Sequence, residues 1–131
     1  LAKPRVIVDT SVWVDFLRGS RAGHAAEAER LVRAGRAATC GLVRAELLAG
    51  VRTEKDRLLV LEGLDGLDYF ETTAQTWTRA GELAATLRAR GRSVPITDCI
   101  VAAVALENAC AVLTSDNHFR QMPGLSLHAT A

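Results

Sequence analysis

The sequence predicts an α/β fold: a three-layer α/β/α sandwich on a central, mainly parallel sheet of four or five strands. Three observations predict it. Short apolar runs recur at 5–8, 37–40, 67–70 and 111–114. Segments with helical periodicity separate each run from the next. One of these segments, 98–108, is apolar nearly all round, as a helix buried against a sheet must be. Short apolar strands alternating with helices imply parallel pairing with helices on both faces. The 131 residues suit a single domain spanning 1–131.

The elements follow in order. Residues 5–8 form the first strand, and Asp9 follows without a spacer. Residues 11–17 form a short helix whose Val12, Trp13, Phe16 and Leu17 make one apolar stripe. A second helix covers 24–34 and ends at Gly35, a left-handed position after the last turn. Residues 37–40 form a second strand and 42–50 a helix. A further helix starts at Thr53, where Thr53 and Asp56 resemble a capping box. The third strand is 67–70, and the longest helix, 74–90, stops at Gly91. The buried helix 98–108 packs closely through Ala102, Ala103 and Ala105. The fourth strand is 111–114, and 125–128 is a fifth, at an edge.

Composition excludes several classes. Hydrophobic residues make up 49% of the chain, enough for a core. The longest apolar run, 99–106, is far short of the ~20 residues of a membrane span. "LAKPRVIVD" runs directly into the first strand and does not read as a signal peptide. Cys40, Cys99 and Cys110 are scattered and odd in number, which fits buried thiols in a reducing cytoplasm. His24, His118 and His128 do not combine with them at zinc-ligand spacing. Of sixteen basic residues only Lys3 and Lys55 are lysines, but the net charge is +1, so the molecule is no polycation.

The carboxylates carry the chemistry. In a parallel sheet every strand ends at one edge, and ligands bind there. Asp9 ends the first strand, and Asp116 lies two residues beyond the fourth. Asp98 opens the helix that leads into that strand, and Glu46 is about one turn into the helix after the second. Taken singly, Asp9 and Asp98 read as helix caps, Asp116 as a turn former and Glu46 as a solvated helix residue. Together, four acids from remote parts of the chain share one rim. Like charges ~4 Å apart repel by about 4 kcal/mol at an effective dielectric near 20. A cation among them removes that cost. All-oxygen ligands select Mg²⁺ or Mn²⁺, and such an ion activates water for phosphodiester hydrolysis.

Four segments, "VIVDTSVWVDFLRG", "RAELLAG", "ITDCIVAAVAL" and "VLTSDNHFRQMPGL", occur in this order. Together they resemble the PIN-domain ribonucleases, and among them the VapC toxins of bacterial toxin–antitoxin pairs. The resemblance covers essentially the whole chain, though 53–92 is generic. The family's four acids fall on Asp9, Glu46, Asp98 and Asp116. Thr10 and Ser11 match the hydroxyl residues that follow the first acid, with Ser115 in a similar supporting part. Some relatives carry another acid two positions after the fourth, where this chain has His118. The resemblance implies a Mg²⁺- or Mn²⁺-dependent endoribonuclease acting on cellular RNA. It also implies a VapB-like antitoxin that blocks the site, and a homodimer. Trp13 and the 53–63 helix are candidates for partner-facing surface, with core packing the simpler account of Trp13.

Rival readings fit less well. A receiver domain needs paired acids after the first strand and a late lysine, whereas Asp9 is followed by Thr10 and no lysine lies beyond Lys55. A haloacid-dehalogenase-type phosphatase needs D-x-D where this chain has "DTS". A PIN-fold protein that only binds remains an alternative, against which the intact set of four acids argues.

Overall fold

The computed structural model describes residues 3–130. Strand β1 is Val6–Val8, β2 Ala37–Cys40, β3 Asp68–Phe70 and β4 Ala111–Leu113. Helix α1 is Thr10–Leu17, α2 Gly23–Arg33, α3 Gly41–Gly50, α4 Glu54–Asp65, α5 Ala74–Ala89 and α6 Ile96–Glu107. A 3₁₀ turn, Asn117–Gln121, follows β4. The sheet order is β3-β2-β1-β4, and every pairing is parallel. The chain steps outward from β1 to β3 and then returns to the other side of β1. That reversal makes the crevice between β1 and β4 the switch point of the sheet, where such folds take their ligands.

Side-chain alternation along the strands divides the core in two. Val6, Val8, Ala37 and Leu113 pack with Val12, Ala28 and Leu31 on α1 and α2. Ile7, Ala38, Cys40 and Val112 face the other way, among Val43, Leu47, Phe70 and α6. Helix α6 is buried without a break from Cys99 to Ala105, as its all-round apolar sequence requires. All three cysteines are buried and free. Gly35 (φ +69°) and Gly91 (φ +75°) end α2 and α5 in the left-handed region, a conformation that costs other residues energy. No described helix is long and apolar enough to cross a membrane.

Three expectations change. The segment 125–128 forms no fifth strand; it touches β4 through one bridge, Leu127 to Val112. Val112 N–H donates to Ser126 O (3.0 Å) and His128 N–H to Val112 O (2.9 Å), so on its outer side β4 is paired through Val112 alone. The described sheet has four strands. Helix α6 starts two residues earlier than expected, because Pro95 takes the cap position, and Asp98 falls in the first turn. Helix α1 starts at Thr10, with Asp9 at its cap position.

Candidate active site

Asp9 continues the ladder of β1, its N–H donating to Leu113 O of β4 (2.9 Å). Asp9 is buried, 6% exposed, and its side chain makes no cap bond to α1. Instead Oδ2 accepts from Ser11 Oγ and from Thr114 Oγ1, both at 2.9 Å. The Thr114 hydroxyl in turn accepts from the Asp116 N–H (2.9 Å), so one side chain ties the ends of β1 and β4 together. Ser115 acts through its backbone: its N–H reaches Ser11 Oγ (3.4 Å), while its side chain is exposed. The support expected from the Ser115 hydroxyl thus comes from the main chain.

Asp98, Asp116 and His118 form the tight part of the site. Donor atoms of all three lie within 4.8 Å of one another. His118 Nδ1 is 3.0 Å from Asp98 Oδ2 and 3.0 Å from Asp116 Oδ1. Asp116 Oδ1 also accepts from the His118 N–H (2.9 Å), which caps the 3₁₀ turn. Its reading as a turn former is therefore correct, and the same oxygen also faces the site.

Glu46 stands farther out, exposed on the second turn of α3. Thr10 Oγ1 donates to its Oε1 at 2.7 Å. Burial pushes the Cys40 thiol up, against the pull of the Val43 and Leu42 N–H groups, and the charges of Asp9 and Glu46 add to the rise. Both carboxylates thus lie near the end of β2. The four acids share the carboxyl edge, but Asp98 and Asp116 converge with His118, while Glu46 is joined to the group through Thr10. Sequence reasoning missed Thr114 as a link. It noted His118 only as a departure from the family.

Electrostatics marks the same spot. Burial raises Asp98 from its ordinary 3.8 to about 6; the charges of Asp116 and Asp9 add to this, and the His118 hydrogen bond opposes it. His118 is raised, chiefly by its hydrogen bond to Asp98 and further by the charge of Asp116. Among the described residues no lysine or arginine forms an ion pair with any of the four acids. Carboxylate oxygens with one imidazole, spaced within 4.8 Å, suit a six-coordinate divalent ion with ~2.1 Å bonds, whose opposite donors are ~4.2 Å apart.

An all-parallel sheet with carboxylates gathered at its switch point, none paired with lysine or arginine among the described residues, defines a class: α/β proteins with an acidic carboxyl edge. Comparison with known proteins narrows it. Residues 6–125 match the family model described as PIN domain. Ribonuclease VapC21 of Mycobacterium tuberculosis is 34% identical over 101 residues, 75% of this chain and 73% of the relative. Ribonuclease VapC19 of the same organism is 33% identical over 121 residues, 91% and 95%. DNA-bound VapBC from Salmonella typhimurium superposes with a TM-score of 0.81 at 21% identity, covering 96% of this chain and 98% of that one. VapBC-1 from nontypeable Haemophilus influenzae gives 0.77 at 18%, covering 95% and 96%. At such identities the two structures speak for the fold alone. The chain belongs to the PIN-domain family, in its VapC ribonuclease branch.

Proposed function

We propose that residues 1–131 form a single nuclease domain acting in the cytoplasm as the toxin of a type II toxin–antitoxin pair: a metal-dependent endoribonuclease that hydrolyses phosphodiester bonds in cellular RNA. The observation that carries this reading is the gathering of carboxylates, with no lysine or arginine partner among the described residues, at the switch point of a chain whose relatives are ribonucleases. Asp9, Glu46, Asp98 and Asp116 are the catalytic and metal-holding residues of the proposal, with Mg²⁺ or Mn²⁺ as the ion. The bound ion supplies activation of water and stabilisation of the leaving oxygen. Ser11 and Thr114 hold Asp9 in place, Thr10 holds Glu46, and Asp98 and Asp116 converge on His118. Arg18 and Arg52 line the same pocket as Glu46, of about 400 Å³, and are placed to meet the phosphates of an RNA strand. Single-stranded or looped RNA fits best, since a duplex bends poorly into a cleft.

A second surface supports the antitoxin. Trp13, Phe16, Leu17, Val32, Leu59 and Leu64 line an apolar groove of about 210 Å³ between α1, α2 and α4. Leu17, Leu47, Leu59 and Val60 belong to both this groove and the pocket that reaches Glu46. A VapB-like chain lying in the groove would thus arrive beside Glu46, from which an arginine or lysine could reach toward the other acids. Trp13 packs against the core, the simpler account of it, and edges onto Phe16 (6.3 Å); it also walls the groove. Leu58 and Leu59 of α4 are 53% and 54% exposed. The proposal also carries a homodimer. Trp77 and Ile96, 51% exposed and outside the groove, leave apolar surface for it.

The test is direct. Purified protein freed of antitoxin is incubated with total RNA plus Mg²⁺ or Mn²⁺, then with EDTA. Cleavage with metal and none with EDTA is expected. Equal cleavage in both would remove the metal mechanism, and no cleavage of any RNA would favour a PIN-fold binding module.

A further inference from the structure

We infer that His118 is itself a metal ligand, and that the Asp98–Asp116–His118 face makes this site favour Mn²⁺ over Mg²⁺. The inference rests on the proposed metal site and adds to it a nitrogen donor that the four-acid pattern lacks.

Geometry comes first. An octahedral ion with ~2.1 Å bonds places adjacent donors ~3.0 Å apart and opposite donors ~4.2 Å apart. His118 Nδ1 lies 3.0 Å from Asp98 Oδ2 and 3.0 Å from Asp116 Oδ1. All three donors fall within 4.8 Å of one another, and His118 stands at adjacent-donor spacing from both carboxylates. The ring is held there from its own backbone, because the His118 N–H donates to Asp116 Oδ1 at 2.9 Å. Ligand and ring holder are thus built by one short turn.

Residue type comes second. Elsewhere this chain neutralises carboxylates chiefly with arginine: Arg5, Arg30, Arg33, Arg44, Arg57 and Arg79 all do so, and where His128 meets Glu27 that carboxylate is shared with Arg30. At the acidic edge the cationic-capable group is instead a histidine. Arginine can act only as a counter-ion, since its guanidinium keeps its proton and offers no lone pair. An imidazole with its proton on Nε2 presents Nδ1 as a donor. The competing account, His118 as a counter-ion bridging two carboxylates, puts the proton on Nδ1 and excludes ligation. The two accounts differ in one measurable bond.

The choice of ion follows from the donor. Mg²⁺ prefers oxygen and holds its waters, whereas imidazole binds Mn²⁺ and later divalent ions more readily. Replacing an acid by histidine at this position therefore moves the preference toward Mn²⁺.

Pulsed electron paramagnetic resonance of Mn²⁺ bound to the full chain tests this, with calorimetric titration of Mn²⁺ and of Mg²⁺. Wild-type protein is expected to show a directly bonded imidazole nitrogen, and His118→Gln to lose it. That substitution should weaken Mn²⁺ by ~10-fold or more, with a much smaller effect on Mg²⁺. Histidine labelled with ¹⁵N gives the same answer on wild-type protein should the variant fold poorly. Mn²⁺ that binds, is weakened by Asp98→Asn, yet shows no nitrogen coupling would overturn the inference while leaving the acidic site intact. Wild-type protein that binds neither ion, with Asp98→Asn no different, would overturn the metal site and this inference together.

Discussion

Four helices of this chain begin in two different ways. Helix α4 starts with Thr53, whose hydroxyl accepts from the Asp56 N–H (3.1 Å). Helix α5 starts with Thr73, which exchanges bonds with Thr76 in a capping box. These side chains are spent on the backbone. Helix α1 starts with Asp9 and α6 with Pro95, and neither makes a side-chain cap. Asp9 turns to Ser11 and Thr114, and Asp98, in the first turn of α6, turns to His118. A residue type that caps helices well is thus present and not capping. The two threonines are spent on their helices; Asp9 and Asp98 are held by other side chains, and Asp116 does both, capping its turn while it meets His118.

Substitution separates the two kinds of start, beginning with the largest effect. Asp98→Asn should lower RNA cleavage by more than ~100-fold, since even outer partners of metal ligands cost 10–100-fold when removed. Its melting temperature without metal should stay at or above the parent's, because a repelling charge has gone. A fall in stability with cleavage preserved would place Asp98 with Thr53.

Paired changes at two threonines sharpen the contrast. Thr114→Val removes the hydroxyl that holds Asp9 and receives the Asp116 N–H. Metal affinity, read by titration, should fall ~10-fold, and stability by about 1 kcal/mol. Thr53→Ala should cost a similar ~1 kcal/mol through its lost cap and leave metal affinity and cleavage unchanged. Equal losses of metal affinity at both sites would erase the distinction.

A smaller effect depends on pH. Burial raises Asp98 from 3.8 to about 6 in the folded chain, so the unfolded chain releases that proton first. Between about pH 4 and about 6 the folded state holds more protons, and metal-free stability falls as pH rises. His118, raised above 6.5, has the same sign: its contribution is present below that value and is lost as pH rises through the folded one. Melts of parent and Asp98→Asn in EDTA should therefore diverge in the variant's favour as pH rises from about 4 to 6. Parallel curves would show that Asp98 titrates normally.

The sequence made the β1 and β4 ends legible because both strands are short and apolar, with an acid directly after β1 and another three residues after β4. That placed Asp9, Glu46, Asp98 and Asp116 on one edge before any coordinates. Other features needed tertiary structure. Thr114 reads as one more β-branched strand residue, and its bond to Asp9 spans 105 positions. His118 meets Asp98 only because the turn after β4 folds back toward α6. The capping box of α5 escaped notice because Thr76 stands where Glu or Gln gives the usual signal. The overcalled strand 125–128 alternates Leu125 and Leu127 with polar residues as a half-buried strand would, but it meets β4 through one bridge, Leu127 to Val112. The groove by Trp13 depends on how α1, α2 and α4 meet, which no local pattern states.

The central claim is that the carboxylate following β1 serves a cation and not the backbone. Thermal melts of parent and Asp9→Asn, each in EDTA and in Mn²⁺, test it most directly. A ligand bound only by the folded state at a hundredfold excess over its Kd adds about 2.7 kcal/mol. The account predicts a clear rise in melting temperature for the parent with Mn²⁺ and a smaller rise for the variant. In EDTA the variant should melt at or above the parent. A variant that melts well below the parent in EDTA, yet gains as much from Mn²⁺, would contradict the claim and return Asp9 to the helix it precedes.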